Sequence, residues 1–188
     1  LEGWFDNPYL DAETIFANTA LVADWVHDDA ELTFHLCYGD SKFGASPFMG
    51  DPPDEEAAAR GGRHILPRDA ATIVALANGL SRHVARRIDA FQAATVAAWN
   101  RRAHWRPLAE LAIEPDTEFY LGLLHAEDGA AGAHRRAGLA AEFLPHFGLS
   151  TECGLGRHSH DQLEAVLTAW RQYALTTDVT RQPALATG

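Results

Sequence analysis

His35 and Cys37 are two residues apart in an apolar segment, Leu32–Cys37, which is typical of a short strand. Successive side chains of a strand point to opposite faces, so these two residues lie on one face, about 6–7 Å apart along the strand. Cys153 follows a second apolar segment, Gly148–Glu152. Imidazole nitrogen and thiolate sulfur are donors that zinc prefers. Three such ligands with an open fourth position are typical of a catalytic zinc site.

Two alternatives for the same residues stay open at this point. Cys37 and Cys153 can be small buried hydrophobes beside a hydrogen-bonded core histidine, His35. They can also be joined in a disulfide bond.

Further candidates surround the same predicted strand ends. His125 ends a strand, where an imidazole can act as general acid or base near neutral pH. Glu127 and Glu152 flank the same region and could bind an amino group of a substrate. The alternative for each is a solvated residue at the rim. His158 and His160 are interpreted as the solvated start of a helix.

The elements that must position these residues alternate along the chain. The predicted strands are Leu32–Cys37, Arg87–Gln92, Glu118–Leu124 and Gly148–Glu152. The predicted helices are Asp11–Val26, Asp69–Val84, Gly129–Leu144 and a last one that opens with Ser159 and Gln162 in capping-box spacing. Apolar stripes are predicted on three of them: Ile15, Val22, Trp25 and Val26 on the first, Ile73, Leu76, Ala77, Leu80 and Val84 on the second, and Leu163, Val166, Leu167, Trp170 and Ala174 on the last.

Strand–helix alternation predicts an α/β fold with a parallel sheet and outer helices. Four such units amount to half of a (β/α)8 TIM-type barrel, whose active site lies at the carboxyl ends of its strands. Half a barrel has two exposed sheet edges. We therefore expect residues 1–188 to form a single domain, the C-terminal part of a larger barrel, with the upstream half absent or supplied by a partner chain.

Composition narrows the function. The chain of 188 residues has a formal net charge of −11, with acidic residues spread along it, which argues against a nucleic-acid partner. No apolar run approaches the roughly 20 residues of a membrane span. Two cysteines cannot build a disulfide framework. These features predict a cytoplasmic protein that binds small molecules.

Three blocks of the sequence resemble a known family: His35-Leu-Cys37-Tyr-Gly-Asp40, Tyr120-Leu-Gly-Leu-Leu-His125-Ala-Glu127-Asp and Glu152-Cys153-Gly-Leu-Gly-Arg157. They are similar to the C-terminal half of the methionine synthase-like branch of the uroporphyrinogen decarboxylase/cobalamin-independent methionine synthase superfamily. The resemblance extends over nearly the whole chain.

The resemblance implies a zinc ion, held by His35, Cys37 and Cys153, whose open position takes a substrate thiol. The metal lowers the pKa of the thiol, and the thiolate attacks an alkyl group, typically methyl. Methionine synthases carry a fourth ligand, Glu, at the position of Gln92, and a neutral amide is a poor ligand for zinc. Gln92 is therefore assigned, with Asp40, Glu127 and Glu152, to substrate binding. His125 matches the position of a proposed proton donor.

Three functions follow as hypotheses. The first is a zinc-dependent alkyl or methyl transferase that acts on a small-molecule thiol with a separate alkyl donor. The second is a metal-free lyase or decarboxylase of the same barrel. The third is an inactive zinc-binding relative, or one half of a complex that needs a partner half-barrel.

Overall fold

The computed structural model describes residues 11–37 and 67–176. Asp40, one of the predicted substrate-binding residues, lies outside these ranges. Everything below concerns the described residues.

Four parallel strands form one sheet in the order β1-β2-β3-β4. The strands are β1 (Thr33–Leu36), β2 (Ala90–Ala94), β3 (Glu118–Leu124) and β4 (Gly148–Thr151). The fold is α/β, with a four-stranded, all-parallel sheet and outer helices, as predicted. The sequential strand order is consistent with half of a (β/α)8 barrel.

The predicted second strand, Arg87–Gln92, is wrong at both ends, because β2 begins at Ala90 and ends at Ala94. Polar contacts precede the strand. Arg87 pairs with Asp89 at 2.8 Å, and Asp89 accepts a hydrogen bond of 2.8 Å from the backbone N–H of Leu32. These residues fix the entry of β2 beside β1 instead of extending the strand.

Five α-helices connect and flank the strands. They are α1 (Ala12–Ala23), α2 (Ala71–His83), α3 (Arg102–Trp105), α4 (Gly129–Ala140) and α5 (His160–Thr176). Short 3-10 helices span Arg106–Glu110 and Leu155–Arg157. The predicted capping box at the start of α5 is confirmed: Ser159 N–H donates to Gln162 Oε1 at 2.9 Å, and Gln162 N–H donates to Ser159 Oγ at 3.3 Å. No helix in residues 11–37 or 67–176 is long and apolar enough to cross a membrane.

The predicted stripe on α2 is buried along its whole length. The stripes on the first and last helices are wrong in part. On α1 the buried residues are Phe16, Ala20 and Ala23, whereas Val22 and Trp25 beside it are largely exposed. On α5, Val166 and Ala169 are buried, whereas Leu167, Trp170 and Ala174 are exposed. Apolar residues cover a wider arc of these helices than the neighbouring described elements can bury.

The two faces of the sheet differ in chemistry. Phe34, Phe91 and Phe119 are register neighbours whose rings pack at 5.8 and 6.2 Å within the core. The next register row along the same strands carries His35, Gln92 and Tyr120. Because side chains alternate, that row points away from the aromatic core. The candidate site is built on this polar face.

Candidate metal centre

His35, Cys37 and Cys153, here called the sulfur cluster, converge at the carboxyl end of the sheet. One ligating atom of each, a ring nitrogen or a sulfur, lies within 4.8 Å of the other two. His35 is on β1, Cys37 follows it, and Cys153 comes after β4. His35 Nε2 is 3.4 Å from Cys153 Sγ. The cysteines are not joined in a disulfide, and the structure brings the three residues of the predicted metal site together.

This contact joins residues from the two outer strands of the sheet. Neighbouring strands lie about 4.8 Å apart, so β1 and β4 would be about 14 Å apart in a flat sheet. A separation of 3.4 Å between His35 Nε2 and Cys153 Sγ indicates a sheet that curls towards its polar face, as barrel strands do. The curvature, and not sequence proximity, brings the second thiol to the first.

The geometry of the sulfur cluster fits zinc. Tetrahedral zinc binds nitrogen at about 2.0 Å and sulfur at about 2.3 Å, which places the two ligand atoms about 3.5 Å apart. The observed separation of 3.4 Å between His35 Nε2 and Cys153 Sγ matches this value. One imidazole and two thiols are soft donors, which favour transition metals such as zinc over magnesium or calcium.

Gln92 and Ser150 extend the sulfur cluster behind the imidazole. Gln92 Oε1 faces His35 Nδ1 in a close hydrogen bond, and Gln92 Nε2 donates to Ser150 Oγ at 2.9 Å. Gln92 and Ser150 are half-buried, whereas His35 is exposed. The structure thus brings the predicted Gln92 to the site, but against the ring nitrogen that faces away from Cys153.

His125, Glu127 and Glu152, here called the carboxylate cluster, form a second group. One ligating atom of each lies within 4.8 Å of the others, so this group could also hold a metal ion. His125 Nδ1 is 3.5 Å from Glu152 Oε2. His125 is only 3% exposed, so its interpretation as a solvated rim residue is excluded. Its other ring nitrogen, Nε2, is buried and has no hydrogen-bond partner among the described residues. Glu127 is exposed.

Glu152 lies against three neighbouring groups, two histidine rings and a backbone N–H. The backbone N–H of Ala126 donates to Glu152 Oε1 at 3.0 Å, and His158 Nε2 is 3.2 Å from the same oxygen. Partial burial of the Glu152 carboxyl opposes its ionisation. The hydrogen bonds from His125 and Ala126, with the charges of His125 and His158, outweigh this effect and lower the pKa of Glu152. The carboxylate is therefore ionised beside His125 at neutral pH.

The interpretation of His158 as part of a solvated helix start is wrong. Its ring is largely buried and its Nδ1 lies 3.2 Å from the carbonyl oxygen of Gly154. Gly154 has φ +85°, a left-handed conformation that favours glycine and turns the chain back over the site. In the sequence, only Gly154 and Gly156 indicated that the chain turns back towards the site after Cys153. His160 is exposed, as predicted.

Arg136 is a buried support that the sequence did not reveal. It is 0% exposed, although it lies in an Ala-rich helix. Its guanidinium donates to Leu123 O at 2.8 Å and to Ala97 O at 3.0 Å, and makes two hydrogen bonds of 2.7 Å to Asp128. Partial burial opposes ionisation of Asp128, but the hydrogen bonds and charge of Arg136 prevail and lower the pKa of Asp128. These contacts fix both ends of the segment 123–128 that carries His125 and Glu127.

Trp99 and Trp105 pack against each other in the core. Both are buried and meet edge to face, with ring centroids 5.3 Å apart. Trp99 Nε1 donates to Pro67 O at 3.1 Å, and Trp105 Nε1 donates to Trp99 O at 3.2 Å. They fix the loop after β2 against the segment that leads into α2.

Comparisons of the chain with protein-family models, with curated proteins and with solved structures find no match. The family resemblance therefore rests on the sequence alone.

Proposed function

We propose that this chain carries the zinc-binding part of an enzyme that transfers an alkyl group, typically methyl, from a small-molecule donor to a thiol. The observation that carries the proposal is the convergence of His35, Cys37 and Cys153, with ligating atoms within 4.8 Å of one another. Three protein ligands leave one tetrahedral position for a substrate sulfur.

Zinc in this site would lower the pKa of a substrate thiol and so supply a thiolate near neutral pH. In the transfer, a bond forms between the substrate sulfur and the alkyl carbon. The bond from that carbon to the donor breaks, and its electron pair stays on the donor. The donor atom then takes a proton, and the residues of the carboxylate cluster are placed to provide it.

His125 is the proposed proton donor. Glu152 lies 3.5 Å from its Nδ1, which leaves Nε2, a nitrogen without a hydrogen-bond partner among the described residues, to carry the transferred proton. A carboxylate behind an imidazole fixes which ring nitrogen handles the proton. Glu127, exposed beside it, is placed to bind an amino group of the thiol substrate.

The first test is elemental analysis of the purified chain together with a count of reactive thiols. We expect about one zinc per chain, and two thiols that react slowly until a chelator is added. Absence of zinc with two rapidly reacting thiols would contradict the proposal. The metal-free lyase predicts that second result.

The second test is transfer of a methyl group to small thiols by the zinc-loaded chain, supplemented with its partner half-barrel if one is found. His125→Gln should lower the transfer rate by roughly 100-fold or more, the usual contribution of a general acid, with zinc content unchanged. His160→Gln, which changes an exposed histidine near the site, is the matched control and should transfer at the wild-type rate. Equal rates for the two variants would remove His125 from the mechanism.

A further inference from the structure

Gln92 contacts His35, the proposed metal ligand, on the side of the ring that faces away from Cys153. Its Oε1 meets His35 Nδ1, whereas the other ring nitrogen, Nε2, is 3.4 Å from Cys153 Sγ. We propose that Gln92, held by Ser150, is a positioning residue that fixes His35 with its proton on Nδ1 and its lone pair on Nε2, ready for the metal. The inference rests on the proposed zinc site and assigns Gln92 a role other than substrate binding.

The direction of the hydrogen bonds carries the argument. An amide oxygen only accepts and an amide nitrogen only donates. Because Gln92 Nε2 donates to Ser150 Oγ at 2.9 Å, its oxygen is the atom left for His35, and Nδ1 must donate to it. A neutral imidazole with a proton on Nδ1 has its lone pair on Nε2. That nitrogen faces the sulfur cluster.

The position of Gln92 also distinguishes a positioning role from that of a direct metal ligand. The two ring nitrogens point in different directions, so a side chain bonded to Nδ1 lies behind the imidazole and outside the coordination sphere of an ion at Nε2. Outer hydrogen-bond partners of this kind set the orientation and basicity of a ligating histidine. Gln92 is half-buried and Ser150 holds its far end, so the amide cannot turn freely.

The neutral amide of Gln92 affects the net charge of the proposed zinc site. Two thiolates and a neutral imidazole balance the double positive charge of zinc, and Gln92 adds no charge behind the ring. A carboxylate at the same place would also accept from Nδ1, but it would add a negative charge next to the ligand. Gln92→Glu should therefore keep the tautomer, whereas Gln92→Leu should lose it.

Two measurements on the full chain test the proposal. The tautomer of His35 in the metal-free protein is measured from the 15N chemical shifts of its ring, and zinc affinity is measured by competition with a chromogenic chelator. We expect the Nδ1-protonated form in the wild type and in Gln92→Glu. Gln92→Leu should give a mixture of tautomers and a zinc affinity lower by about 10- to 100-fold. Ser150→Ala should change both in the same direction, but less.

Gln172→Leu, an exposed substitution on α5, is the control and should match the wild type in both measurements. Wild-type tautomer and affinity in Gln92→Leu would overturn the proposal. Complete loss of zinc in Gln92→Leu, with zinc binding tighter than wild type in Gln92→Glu, would overturn it too, because that pattern identifies a direct ligand, for which a carboxylate is better than an amide. If the wild type binds no zinc, the proposed function fails, whereas the tautomer measurement still decides the role of Gln92.

Discussion

The sulfur cluster and the carboxylate cluster are joined by one peptide bond, between Glu152 and Cys153, yet they are built differently. The sulfur cluster has an exposed histidine, and its members come from the two outer strands of the sheet. The carboxylate cluster has a histidine that is 3% exposed, and buried Arg136 supports the segment that carries it. An open group of soft donors suits a metal that must admit a substrate. A buried imidazole beside a carboxylate suits the handling of a proton.

The largest expected effect separates the two clusters by metal content. Cys153→Ser should reduce bound zinc from about one per chain to nearly none, because it removes one of three ligands. Glu152→Gln, one residue away, should retain zinc and lose only the partner of His125. Elemental analysis after dialysis is the measurement. Zinc loss in Glu152→Gln alone would show that the carboxylate cluster holds the metal, and zinc loss in both variants would contradict a site made of the sulfur cluster alone.

The second largest expected effect is on stability, and it comes from removing Arg136, the buried residue that supports the carboxylate cluster. Arg136→Met should destabilise the fold by about 3–5 kcal/mol, because it leaves two backbone carbonyls without this donor and removes both hydrogen bonds of Arg136 to Asp128. Arg135→Met is the matched control. Arg135 also contacts Asp128, at 2.8 Å, but it is half-exposed, so its loss should cost about 1 kcal/mol or less. The free energies of unfolding of the two variants are compared by urea titration. An equal loss of stability in both would mean that Arg136 contributes no more than an ordinary surface ion pair.

The smallest effect concerns the polar face beside the sulfur cluster. Tyr120 donates a hydrogen bond to the carboxylate of Glu118, and this bond, with partial burial and the negative charges of Glu118 and Glu31, raises the pKa of Tyr120 to about 12. Since the folded pKa exceeds the ordinary value of 10.0, the stabilisation is fully present below pH 10 and is lost as the pH rises towards 12.

An ultraviolet titration of the phenol checks this shift. Glu118→Gln should return the pKa of Tyr120 towards its ordinary value, and Tyr120→Phe should cost about 0.5–1 kcal/mol below pH 10 and progressively less above it. A phenol that titrates at its ordinary pH in the wild type would exclude the hydrogen bond.

Part of the sulfur cluster could be predicted from the sequence because that part is local, whereas the approach of Cys153 depends on the curvature of the sheet. His35 and Cys37 share one face of one strand, and the chain has only one other cysteine. His125 could be placed at a strand end, but its burial could not, because burial comes from segments distant in the chain. His158 escaped prediction because only the turn at Gly154 brings it back to Glu152.

The helices and strands show the same difference between what local sequence determines and what tertiary packing determines. The burial of α2 follows from its own periodicity, since neighbours cover its apolar stripe. The stripes of α1 and α5 have the same period, but which part is buried depends on what packs against each helix. The start of β2 was misplaced for a related reason, because Asp89 bonds to the backbone of Leu32 before the strand begins.

The edge-to-face pair of Trp99 and Trp105 gives this protein an optical signal of its own. Two indoles 5.3 Å apart, at an interplanar angle of 88° and each held by an N–H hydrogen bond, form an asymmetric chromophore that contributes to near-ultraviolet circular dichroism. Trp99 lies in the loop after β2 and Trp105 ends α3, and the hydrogen bonds of the two indole N–H groups go to Pro67 and Trp99, not to a residue of either cluster. The band of this pair therefore reports whether a variant has kept its tertiary packing, independently of whether the site has lost its metal.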